Sequence, residues 1–171
     1  MSILNIFKKK KQEQVPKLLA ETNNKLNNKK SFFSNYDKYS NEPEFIKEFV
    51  KIITDKEEYE VDENSEFEDA IKYLIENNYL ASYNINDNLV KTLNNKFKEN
   101  INEEQITKKV EEYKINSEYK DVIKLNITEL EICNQLEPKG KGLIYIYSAG
   151  DYYCYGIETQ EKIDRIRYLF K

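Results

Sequence analysis

The side chains best able to do chemistry in this sequence are carboxylates. The run DKEEYEVDENSEFED, residues 55–69, holds nine acids against one lysine, a net charge of −8. Within it Asp62, Asn64 and Glu66 stand at the first ligand spacings of a calcium-binding loop, where alternating oxygen donors wrap a hard cation. The pattern then fails: Phe67 occupies the position whose sharp turn needs glycine, and Tyr73 the position of the bidentate glutamate. The remaining reading is electrostatic. An acidic surface carrying Asp55, Glu57, Glu58, Glu60, Asp62 and Glu63 would speed encounter with a basic protein and would weaken in salt. An ordinary solvated acidic loop explains the same residues.

Tyrosine is the second concentration of functional groups. GLIYIYSAGDYYCYGIE, residues 142–158, places five tyrosines around one Ala-Gly-Asp. Two β-rich runs meeting at SAGD predict a hairpin, with Gly150 free to adopt a positive φ. A three-residue loop with a bulge sets odd positions opposite odd positions, whereas a two-residue loop would mix the sets. Under the first register, one face carries Tyr145, Tyr147, Tyr153 and Tyr155, and the other Ile144, Ile146, Tyr152 and Cys154. The more apolar Ile/Cys face is expected on the helices, leaving a tyrosine ridge for a partner, since tyrosine offers large area, few rotors and a polar tip. The competing reading puts these rings in the core beside Leu143 and Ile157, with hydroxyls at the rim. Stacking on nucleic-acid bases conflicts with the acidity of the domain, which repels phosphate, so no nucleic acid is expected.

Other chemistries lack their residues. There is no histidine, which removes the commonest neutral-pH base and the commonest zinc ligand. Cys133 and Cys154 form no CxxC pair and read as reduced, buried thiols of a cytoplasmic protein. No GxGxxG, P-loop, GxSxG or HExxH occurs, and the KGKG of residues 139–142 lacks P-loop spacing. No cofactor and no metal is expected. A carboxylate pair assembled by folding needs no local motif, so an enzyme with such a site stands as a further reading behind a non-catalytic one.

The elements that must position these groups follow from periodicity. Asn41 with Glu44 and Pro43 predicts a helix start, and Phe45, Ile46, Phe49, Val50 and Ile53 carry it over about 42–54. Ser65 with Glu68 opens a second helix through Phe67, Ala70, Ile71, Leu74 and Ile75, with Asn77-Asn78 as a left-handed stop. Residues 79–85 alternate as a strand. Asp87 is expected to cap a helix carrying Leu89, Val90, Leu93 and Phe97, and Asn102 with Gln105 another carrying Ile106, Val110 and Tyr113. Residues 117–137 read as helical, with Thr128 and Glu131 marking a restart and Pro138 and Gly140 the end. Thr159 caps a last helix with Ile163, Ile166, Leu169 and Phe170. No apolar run reaches the roughly 18 residues a membrane span needs.

Net charge is −4 overall, but residues 1–30 hold eight lysines and two glutamates, or +6, which leaves −10 for the rest. The chain therefore divides into a basic arm, 1–30, with a first helix over 13–27, and an acidic domain, 31–171. At its start Ile3, Leu4, Ile6 and Phe7 precede Lys8, Lys9, Lys10 and Lys11. Such a segment can dip into a membrane interface while its lysines meet anionic lipid, although one weak signal seldom anchors a protein. A terminus that is loosely docked explains it equally.

With AIKYLIENNYLASYNIN and GLIYIYSAGDYYCYGIE in place, the order of elements over residues 42–170 resembles a family of uncharacterised bacterial domains of about this length. Its members open with an apolar-and-lysine tail and acidic helices, and close with a hairpin and a final helix. The resemblance brings no catalytic residues. Small acidic bacterial proteins of this style also resemble immunity proteins, which neutralise toxins by binding them.

The expected fold is α+β: an antiparallel sheet of about three strands, 79–85, 142–148 and 152–158, packed on one face by amphipathic helices. The expected function is non-catalytic protein binding of immunity or adaptor type. A peripheral membrane regulator held by residues 1–11 is the alternative.

Overall fold

The computed structural model of the chain describes residues 20, 31–32, 42–56, 59–62, 64–84, 87–113, 120–147 and 152–170. The first 19 residues, including the apolar and lysine positions 3–11, lie outside them, as do Asn41, Glu57, Glu58, Glu63 and the loop 148–151.

Apolar spacing forms the helices, and local hydrogen bonding sets their ends. Helix α1 (Pro43–Thr54) starts on proline, whose fixed φ suits a first turn, and stops where Asp55 turns left-handed at φ 57°. Helix α2 (Phe67–Glu76) begins one capping position later than the sequence suggests. Glu66 is the N-cap residue, and its N–H donates to Asp69 Oδ2 at 3.2 Å. The expected cap, Ser65, is engaged elsewhere: its hydroxyl bonds Asp62 Oδ1 at 3.1 Å and accepts the Asp62 N–H at 3.0 Å. Asn78, at φ 67°, supplies the left-handed stop.

Helix α3 (Leu89–Phe97) is capped by Asn88 rather than Asp87, because the Asn88 carboxamide oxygen accepts from the Lys91 N–H at 3.0 Å. Helix α4 (Glu103–Glu112) is capped by Asn102 as expected. Helix α5 (Lys120–Leu136) runs without a break through Thr128 and ends in a 3-10 turn, Glu137–Lys139, closed by Gly140 at φ 67°. Thr159 caps helix α6 (Gln160–Leu169), accepting from the Lys162 N–H.

The sheet contains the three antiparallel strands the sequence predicts. They are β2 (Ala81–Asn84), β3 (Lys141–Tyr147) and β4 (Tyr152–Thr159). A two-residue strand β1 (Ser31–Phe32) adds a parallel edge beside β3, giving the order β1-β3-β4-β2. Tyr145 pairs with Tyr155 and Tyr147 with Tyr153, which is the odd-on-odd register of the expected hairpin. On the other side of β4, Ala81 pairs with Tyr155 and Tyr83 with Tyr153.

Helices cover both faces of this sheet, not the single face expected. Successive strand side chains point to opposite faces, so β3 and β4 serve two cores at once. Ile144, Ile146 and Cys154 pack with α1, α2 and α6 around Phe49, Phe67 and Leu74. Leu143, Tyr145, Tyr155 and Ile157 pack with α3, α4 and α5 around Leu93, Ile106 and Leu136. In the first layer Phe45, Phe49 and Phe67 meet Phe170 edge-on, at ring separations of 4.9, 5.9 and 6.4 Å. Gly156 permits close approach there, since a Cβ on it would lie 2.8 Å from Leu80 Cδ2. Cys133 and Cys154 are both buried, in different layers, and form no disulfide.

Candidate functional site

The tyrosine face is interior. Tyr155 is 0% and Tyr145 8% exposed, and Tyr153 is half-buried. Tyr147 pairs in β3, but its side chain lies outside the described residues. Tyr83 from β2 completes a group of four rings: Tyr145 stacks on Tyr153 at 5.8 Å, and Tyr155 meets Tyr145 at 5.3 Å and Tyr83 at 5.7 Å. At Tyr145 and Tyr155 the partner-facing ridge is therefore corrected to a core. The physical reason is that α3 and α5 need an apolar surface to cover, and phenol rings provide large area with polar tips that can still be bonded.

One of those tips meets a carboxylate that the sequence reading passed over. Glu129 on α5 is 1% exposed, and the Tyr155 hydroxyl donates to its Oε1. Burial first, then the Glu129 charge and that bond, drive the Tyr155 hydroxyl far above its ordinary range. Burial also raises Tyr83, with Asp87 and Glu129 adding to the effect. The signal for Glu129 was present in the sequence. Leu125, Ile132 and Leu136 all pack in the same layer, and Glu129 falls four residues after the first and three before the second. A carboxylate inside an apolar stripe is an interior group, unlike one on a solvated face.

The acidic segment is surface. Glu60, Asp62, Glu66, Glu68 and Asp69 are exposed. Asp55, also exposed, pairs with Lys162 Nζ at 2.6 Å, and the same ammonium donates to Ile53 O at 2.9 Å and lies 3.6 Å from Glu158. Asp55 thus fastens the end of α1 to α6. Asp62 holds its own turn, its Oδ1 accepting the Asn64 N–H at 2.8 Å and the Ser65 hydroxyl. This is the geometry of a side-chain-stabilised turn and not of a calcium loop. The half-buried Tyr59 packs on Tyr73 at 4.7 Å and ties the segment to α2. Among the described residues no group of three or more Cys, Asp or Glu is placed to hold a metal ion. Among them too, no helix is long and apolar enough to cross a membrane.

A cleft of about 830 Å³ opens between α4 and α5, with Tyr83, Leu89 and Val90 on its floor. It was not legible in the sequence, because its walls come from segments distant in the chain that meet only in the fold. Compared with family models, with curated proteins and with solved structures, the chain matches none.

Proposed function

We propose that the protein is a non-catalytic binding protein of immunity or adaptor type that takes a basic protein partner on the acidic face built by segment 55–69. The observation that carries this reading is the outward placement of Glu60, Asp62, Glu66, Glu68 and Asp69, on a turn held by Asp62 and Ser65 and on the first turn of α2 that follows it. Charge in fixed positions steers encounter and sets register without an ordering cost at the moment of binding. Tyr145 and Tyr155, which competed for this role, belong to the core. The buried carboxylate Glu129 is sealed from solvent, which suits a structural group and not one that must touch substrate.

The test uses the purified chain as bait at low salt, beside a Glu60→Lys/Glu68→Lys variant. Neither side chain takes part in the turn or the α2 cap. The expected partner is a basic protein whose affinity, measured with purified components, falls by about tenfold or more on charge reversal and again between about 50 and 300 mM salt. Binding insensitive to both changes, or an acidic partner, would overturn the reading.

A further inference from the structure

The cleft between α4 and α5 has two walls of opposite charge. Glu103, Thr107 and Glu111 recur every four residues and line it from α4, while Lys120, Lys124 and Thr128 do the same from α5. Asp87 also lines the cleft and adds a third acid to the α4 wall's two, and Asp121 adjoins the lysines. Glu103 is already engaged, by the Asn88 carboxamide at 2.8 Å and Lys91 at 3.8 Å. Glu111, Asp87, Lys120 and Lys124 are not: among the described residues no ion pair joins the walls across the cleft. The same cleft is lined by the aliphatic residues Leu89, Val90, Ile106, Val110 and Leu125. The volume lies within the roughly 300–1,000 Å³ of small-molecule sites, and the lining is richer in charge than most of them, which points to a charged ligand. The cleft shares no lining residue with segment 55–69.

We propose that this cleft binds a short zwitterionic peptide with apolar side chains. Its carboxylate is taken by the Lys120/Lys124 wall and its ammonium by Glu111 and Asp87. A simple anion would meet the acids of α4 and Asp87, and a simple cation would leave Lys120 and Lys124 unmatched. Both ends of a zwitterion instead form charge-assisted hydrogen bonds. The apolar floor selects aliphatic side chains, and the volume exceeds what one amino acid fills.

The probe is the tripeptide leucyl-alanyl-leucine, titrated calorimetrically into the full chain beside its N-acetyl form, its C-amide form and free leucine. The free tripeptide is expected to bind saturably, and each blocked form about tenfold more weakly. Lys124→Gln should weaken the free tripeptide but leave the C-amide form unchanged, and Glu111→Gln should do the same with the N-acetyl form. If Lys124→Gln fails to fold, Lys120→Gln on the same wall replaces it. Equal affinity for blocked and free peptides, or no saturable binding, overturns the proposal. Leucine binding as tightly as the tripeptide overturns the assignment to a peptide.

Discussion

Tyr155 and Glu129 carry the strongest single-residue consequence of this structure. A carboxylate removed from water must keep its hydrogen-bond donors, because an unmet one costs the full desolvation of the charge. Tyr155→Phe should therefore cost about 1.5–3 kcal/mol, read from urea unfolding, although it changes the volume by only a hydroxyl. Replacing both groups, with Tyr155→Phe and Glu129→Leu together, should regain at least half of that loss, since two apolar groups leave less polarity stranded. A neutral Tyr155→Phe would contradict the account. The tyrosine cluster was legible as a cluster, and of the two hairpin registers open to it the pairing of Tyr145 with Tyr155 is the odd-on-odd one. Its direction was not legible, because alternation assigns residues to two faces without saying which face is covered.

Between elements, Glu99 joins the connection after α3 to the start of β3. Its carboxylate meets Lys141 on one oxygen and lies 3.2 Å from Lys139 on the other. The Lys141 bond, with Lys139 adding to it, holds the Glu99 carboxyl below its ordinary value of 4.5 despite partial burial. A depressed folded value means that the contribution is fully present above the unfolded value and is lost as pH falls through the folded one. Both lysines are well exposed, so Glu99→Gln should cost no more than about 1 kcal/mol at pH 7. The gap between wild type and variant should be flat above about pH 5 and should close as pH drops below about 4. A gap that stays constant into acid would show that the pairing does not discriminate between protonation states. Helix positions were readable at this scale because apolar spacing and cap residues are local. The caps themselves slid by one residue at Glu66 and Asn88, where a neighbouring side chain was already committed to a turn or better aligned.

At the scale of the whole molecule, β3 and β4 lend alternate side chains to two cores, so the layers should lose their structure together. Leu74→Ala in one layer and Leu93→Ala in the other, both fully buried, should each cost about 2–5 kcal/mol. Each variant should still unfold in one transition, with far-ultraviolet and tyrosine near-ultraviolet signals coinciding. A step confined to one layer would contradict this coupling.

The amino-acid sequence alone determined the α+β class and the three antiparallel strands, since period, turn residues and capping act over a few positions, and it narrowed the hairpin register to two choices. It also carried one unread hint. LIYIY and YCYGI are near-continuous apolar runs, which mark strands covered on both sides. Only the tertiary structure decided that helices sit on both faces, that Tyr145 and Tyr155 lie inward, that Glu129 is buried against Tyr155, and that α4 and α5 set opposite charges across a cleft. Each of these depends on which distant segments meet, and local patterning contains no term for that.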